Sequence, residues 1–168
     1  MPHLVIAHPD ALKQDVVTLR IHSECVTGDI FSSKRCDCGE QLARGLMIAR
    51  RDKGMVIYLR QEGRGIGLIN KLKAYNLQDQ GFNTFDANEH LGFEADARQY
   101  DMALAMLDDL GVKKIRLLTN NPEKLDAFEG SSVDLVEHLP IIIDPNDVNL
   151  NYLKTKQDVM GHLLKIED

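Results

Sequence analysis

Cys25, Cys36 and Cys38 are the only cysteines of the chain, spaced C-x10-C-x-C. A structural zinc site closes with four Cys or His ligands, whereas a catalytic site keeps three protein ligands and leaves a position for water. With three thiols available, an all-cysteine site is an open one. Two thiolates one residue apart reach a common ion from a tight loop, and Gly39 eases the turn. The same residues also read as three buried small hydrophobes, or as a closed site completed by His22 or His90. His22-Ser23-Glu24 imitates the H-x-E element of zinc deaminases, in which the Glu shuttles protons. The partner element P-C-x-x-C is absent, because Arg35 precedes Cys36 and the pair is C-x-C. The chemistry that survives the comparison is a metal-activated water attacking a purine or pyrimidine ring carbon.

A second cluster is Glu62-Gly63-Arg64-Gly65-Ile66-Gly67, which follows a strand-like run and opens a helical one. Glycines allow close backbone approach, and a helix N-terminus favours an anion. The string lacks the G-K-[ST] of a P-loop and the G-x-G-x-x-G of a dinucleotide fingerprint. With Arg60, Arg64, Lys71 and Lys73 close by, it suits a phosphate or a polar heterocycle. Asp96 and Arg98 read locally as a first-turn acid and a surface arginine. Tyr75 reads locally as a core or rim residue of an amphipathic helix.

Alternating strands and helices would position these groups. Residues 16–26 begin as a β-branched strand ending at Thr27-Gly28-Asp29, and residues 55–59 and 114–119 are short apolar runs of the buried-strand type. Helical spacing covers residues 38 to about 53, 68 to about 80, 95–110 and 150–164, with a further strand over 133–136. Asn121-Pro122-Glu123 has the form of a helix start, with Pro at the first helical position. The first 15 residues carry no readable pattern. Such alternation predicts an α/β fold with a mixed, partly parallel sheet and helices on both faces. It places three cation-containing clusters, residues 20–25, 60–64 and 119–124, at the downstream ends of strands, the edge where such sheets bind ligands.

The chain has 168 residues, 43% of them hydrophobic, which predicts one domain over residues 1–168 with a core needing no disulfides. Twenty basic against 26 acidic side chains give a net charge of -6, which argues against a duplex nucleic-acid binder but not against a local basic pocket. No apolar run approaches the roughly 18 residues of a membrane span, and no signal-peptide pattern opens the chain. Three cysteines do not form a secreted disulfide framework. A cytoplasmic location is the expectation.

RIHSECVTGD (residues 20–29) and RCDCGEQL (35–42) carry a resemblance that continues through RQEGRGIGL (60–68), QDQGFNT (78–84), LLTNNP (117–122) and MGHLL (160–164). Together they resemble GTP cyclohydrolase II, the first enzyme of riboflavin biosynthesis, in order from about residue 18 to residue 164. The resemblance implies one zinc ion on Cys25, Cys36 and Cys38, whose activated water attacks C8 of guanine. A second hydrolysis then releases formate. Arg98 matches the proposed nucleophile toward the α-phosphate, releasing pyrophosphate, and Asp96 its proton acceptor. Because a guanidinium stays protonated, electrostatic stabilisation by Arg98 is a rival role.

Tyr75 matches an active-site tyrosine that positions the water or the ring. Nucleotide contacts carry over onto Arg20, Ile21, His22, Ser23, Glu24, Gln41, Glu62, Gly63, Arg64, Thr84, Thr119 and Lys124. Gln41 and Glu62 would face guanine edge groups, and the cations would face phosphates. The product would be 2,5-diamino-6-(5-phosphoribosylamino)pyrimidin-4(3H)-one. Magnesium with the triphosphate and a homodimer are further implications. Family members carry additional strands before the RIHSEC string, and only 19 residues precede Arg20 here, so the chain reads as a shortened form. Two other readings stand beside this one: altered or partial nucleotide chemistry, and a non-catalytic zinc-stabilised nucleotide-binding module.

Overall fold

The computed structural model describes residues 2–94, 96–164 and 166. Five strands, β1 (Leu4–Ala7), β2 (Val17–Ser23), β3 (Met55–Leu59), β4 (Lys114–Leu118) and β5 (Asp134–Leu139), form one sheet in the order β1-β3-β2-β4-β5. β2 to β5 run parallel, and β1 lies antiparallel to β3 at one edge. The helices are α1 (Val26–Asp29), α2 (Cys38–Arg51), α3 (Leu68–Gln78), α4 (Thr84–His90), α5 (Asp101–Asp109), α6 (Pro122–Asp126) and α7 (Leu150–Asp158). This is the mixed α/β architecture expected from the alternation.

Successive residues of β2 point to opposite faces. Leu19 and Ile21 join a core with Ile57, Ile115, Leu117 and, from α5, Ala103 and Leu107. Arg20 points the other way, against α2, where a Cβ on Gly45 would stand 3.2 Å from its Cγ. Helices therefore cover both faces. The chain leaves β2 for β3 on one side and then crosses back to β4 on the other. Connections departing in opposite directions open a crevice beyond the carboxyl ends of β2 and β4.

Several boundaries differ from expectation. The helix expected over 95–110 begins only at Asp101; Ala95 lies outside the described residues. The Asp96 carboxylate accepts from the backbone N–H of Arg98 at 3.1 Å, a local bond that competes with helix formation. Ala97 N–H donates instead to Arg64 O at 3.1 Å. Asp96 and Arg98 thus sit in the segment leading into α5, not in a helical first turn. The closing helix ends at Asp158, and the strand expected over 133–136 runs Asp134–Leu139. The strand expected over 16–26 ends at Ser23, and three elements went unread: β1, α1, where a turn was expected, and α4, whose start is capped by the Asn83 side chain accepting from Asp86 N–H at 2.9 Å.

Candidate active site

The chain leaving β2 turns at once into the short α1. Asp29, at its end, folds back: one carboxylate oxygen accepts from Cys25 N–H (2.9 Å) and Tyr58 Oη (2.8 Å), and the other stands 3.1 Å from His22 Nε2. This closes the loop that presents Cys25. Cys36 and Cys38 come from the start of α2 on either side of Asp37. The three sulfurs lie within 4.8 Å of one another, with Cys25 and Cys36 at 3.6 Å, and none is in a disulfide.

Two glycines make the convergence possible. A Cβ on Gly28 would stand 3.0 Å from Cys36 Sγ and 3.2 Å from Cys25 Sγ, and one on Gly39 would strike Gly28 O at 2.3 Å. Hydrogen bonding from Cys36 and Cys38 lowers the Cys25 thiol far below its ordinary value. Bonding to Cys25 pushes Cys36 up to about 11 and Cys38 well above the thiol range. Three crowded thiols that resist common ionisation are what a thiophilic dication would bring to the thiolate state. The donor set therefore fits zinc.

Among the described residues no histidine or carboxylate joins these sulfurs as a further ligand. His22 is turned to Asp29 and stacked on Tyr58 at 5.5 Å, and His90 lies against Phe82 at 5.2 Å. Neither histidine weighed as a fourth ligand stands with the three sulfurs.

The sulfurs line a cleft over the carboxyl ends of the strands. Lys71 Nζ bridges Cys25 Sγ (3.0 Å) and Glu62 Oε1 (2.8 Å). Tyr75 Oη meets Thr27 Oγ1 at 3.2 Å, and the Arg35 guanidinium lies 5.0 Å from the Tyr75 ring centre. Burial raises the Tyr75 phenol above its ordinary value.

Further cations line the cleft. Arg20 donates to Leu118 O (3.0 Å) and Gln41 Oε1 (2.5 Å), and burial brings it down to about 10. Lys124 Nζ donates to Ile21 O at 2.9 Å across the β2/β4 crevice. Burial, then the charges of Arg20, Arg98 and Lys156, pushes Lys124 well below the lysine range. Lys156 pairs with buried Asp37 at 2.6 Å. Burial opposes the charge of Arg98, but its paired contact with Asp96 outweighs that and raises its pKa.

Of the residues named from sequence, Arg20, His22, Ser23, Glu24, Gln41, Glu62, Gly63, Arg64, Tyr75, Thr84, Arg98, Thr119, Lys124 and the three cysteines line this cleft. Ile21 does not; it is fully buried and contributes only its carbonyl. Asp96 stands behind Arg98. Both ends of the Gln41 amide are taken, by Arg20 and Asp37. Glu62 is held by Lys71, Val26 N–H and Gly63 N–H. Asn120 and Asn121 entered the sequence reading only as members of the 119–124 cluster, and Tyr152, Lys156 and His162 in the wall were not named as site residues. No local signal pairs Lys156 with Asp37, which lies 119 residues away. His162 had a signal only as part of the MGHLL string.

A family model described as GTP cyclohydrolase II matches residues 1–140. The chain is 55% identical over 163 residues to "Riboflavin biosynthesis protein RibBA" of Chlorobium phaeovibrioides, covering 96% of this chain and 40% of the relative. It is 53% identical to the RibBA of Synechocystis sp. over 96% of this chain and 29% of that protein. It is 51% identical to "GTP cyclohydrolase-2" of Buchnera aphidicola subsp. Schizaphis graminum, over 96% of this chain and 83% of that protein. The chain thus spans less than half the length of these RibBA relatives. A match this long, with motifs that fold into one cleft, places the chain in the GTP cyclohydrolase II family.

Proposed function

We propose that this chain hydrolyses GTP at C8 of guanine, opening the imidazole ring and releasing formate and pyrophosphate, as the entry step to riboflavin. The observation that carries the reading is the juxtaposition of an open three-thiol site with a cation-lined cleft on one sheet edge. Zinc held by Cys25, Cys36 and Cys38 would supply Lewis acidity and activate water for attack on the ring. Lys71, bonded to Cys25 Sγ, offsets the negative charge of a three-thiolate set. Tyr75 sits on the same side, 3.2 Å from Thr27, where its hydroxyl can orient water or the ring.

Lys124 and Arg98 line the part of the cleft suited to the triphosphate, with magnesium as its counter-ion. Because Asp96 holds Arg98 charged, the reading favours electrostatic stabilisation of the α-phosphate over covalent attack. A homodimer in the cytoplasm completes the proposal.

Mass spectrometry of products from GTP, zinc and magnesium tests it. A diaminopyrimidinone ribosyl phosphate with stoichiometric formate and pyrophosphate is expected. No turnover by zinc-replete protein, or GMP without formate, would overturn ring opening.

A further inference from the structure

Beyond α7 the chain turns back over the cleft. His162 N–H donates to Lys156 O (2.9 Å), and Leu163 N–H donates to Asn120 O (2.8 Å). The Gln157 side chain and the Ile166 backbone exchange two bonds, at 3.0 and 3.4 Å. Gly161 makes the turn at φ +64°, a conformation that side chains disfavour. The result is a strap over residues 159–163 whose Met160 and His162 stand in the cleft wall.

The His162 Nε2 is buried and without a hydrogen-bond partner among the described residues, as are both terminal nitrogens of Arg64. Lys156, Arg98, Lys124 and Arg64 all act on the ring, and burial together with these charges pushes the imidazole down to about 3. Buried nitrogens are seldom left unpaired. Arg98 and Lys156 keep their carboxylate partners and burial lowers Lys124, so the unmet donors of the wall are the Arg64 guanidinium and the His162 imidazole, which a ligand with several acceptor oxygens would satisfy. A single carboxylate offers two oxygens to these three nitrogens, whereas a polyphosphate offers several along its length.

We propose that His162 reads phosphate: the strap carries its imidazole over the cleft so that Nε2–H donates to a phosphoryl oxygen of a polyphosphate held among Arg64, Arg98, Lys124 and Lys156. This rests on the nucleoside triphosphate reading of the cleft. His162 reaches the cleft on the strap that follows α7, held there by the Leu163 N–H bond to Asn120 O.

Calorimetry with inorganic tripolyphosphate and, separately, guanosine tests the assignment on the zinc-loaded chain. His162→Ala should weaken tripolyphosphate binding about tenfold, one lost hydrogen bond to a charged group, and leave guanosine binding unchanged. His162→Gln, which retains a donor, should recover most of the loss at an unchanged melting temperature. Unaltered tripolyphosphate binding by His162→Ala, or an equal loss for guanosine, would overturn the proposal.

If His162→Ala does not fold, the wild-type chain decides by imidazole nitrogen NMR. The His162 signal should move with tripolyphosphate and stay with guanosine, and a static signal at saturation counts against the assignment. Anion binding is read without turnover. A chain that binds tripolyphosphate through His162 but opens no guanine ring would remove the hydrolase reading alone. Ring opening with no His162 effect would remove this inference alone.

Discussion

Cys36 shares its sulfur contact with Cys25 at 3.6 Å and stands next to Asp37, whose carboxylate is held by Lys156 and Gln41. Cys36→Ser should reduce bound zinc from one per chain to near zero, by metal analysis, and abolish formate release. Arg98→Ala should slow pyrophosphate release about a hundredfold, the usual effect of removing a preorganised charge from developing oxyanions. His162 sets a pH dependence. Its folded-state pKa of about 3 lies below the ordinary 6.5, so the unfolded chain takes up a proton that the folded chain refuses. The stability it contributes is therefore complete above about pH 6.5 and falls as the pH drops from there toward 3. Melting temperatures at pH 7.5 and 5.5 should differ more in the wild type than in His162→Gln. The trio of thiols was legible from spacing, but where His22 and His90 stand relative to it was not. Only the fold turns His22 onto Asp29 and Tyr58 and carries His90 to α4.

The two turns that bring α1 against the start of α2 depend on backbone clearance. Gly39→Ala would place a methyl 2.3 Å from Gly28 O. Relief by backbone movement should cost about 1–3 kcal/mol, seen as a lower denaturation midpoint, and should weaken zinc binding because Cys38 is the neighbouring residue. Strand β3 was readable because every side chain is apolar or aromatic and nearly all are buried, and β4 because Ile115, Leu117 and Leu118 are apolar and buried. The start of α5 was not. Apolar periodicity extends upstream of Asp101, while the Asp96 bond to Arg98 N–H and the Ala97 bond to Arg64 O hold that stretch out of the helix. The end of α7 failed similarly, since the turn at Gly161 is followed by a bond from Leu163 N–H to Asn120 O in the loop between β4 and α6.

Across the molecule, the core of Leu19, Ile21, Ile57, Leu107, Ile115 and Leu117 contains none of the cysteines. Chelating the metal should therefore lower the melting temperature while leaving the far-ultraviolet dichroism of the folded chain intact. The free-energy loss should be about 4 kcal/mol where zinc had stood at a thousand times its Kd. A parallel loss of helix and sheet signal on chelation at 25 °C would contradict a fold that stands without its metal. Local pattern was enough for the α/β class, the grouping of the three thiols, the glycine-rich turn and the cation-bearing strand ends, because each depends on residue type and on spacing over a few positions. The contacts Lys156–Asp37, Arg20–Leu118 O, Lys124–Ile21 O and the seat of His162 join positions far apart in the chain. They exist because the strand order β1-β3-β2-β4-β5 sends successive connections to opposite sides of β2, and the crevice so opened gathers their side chains.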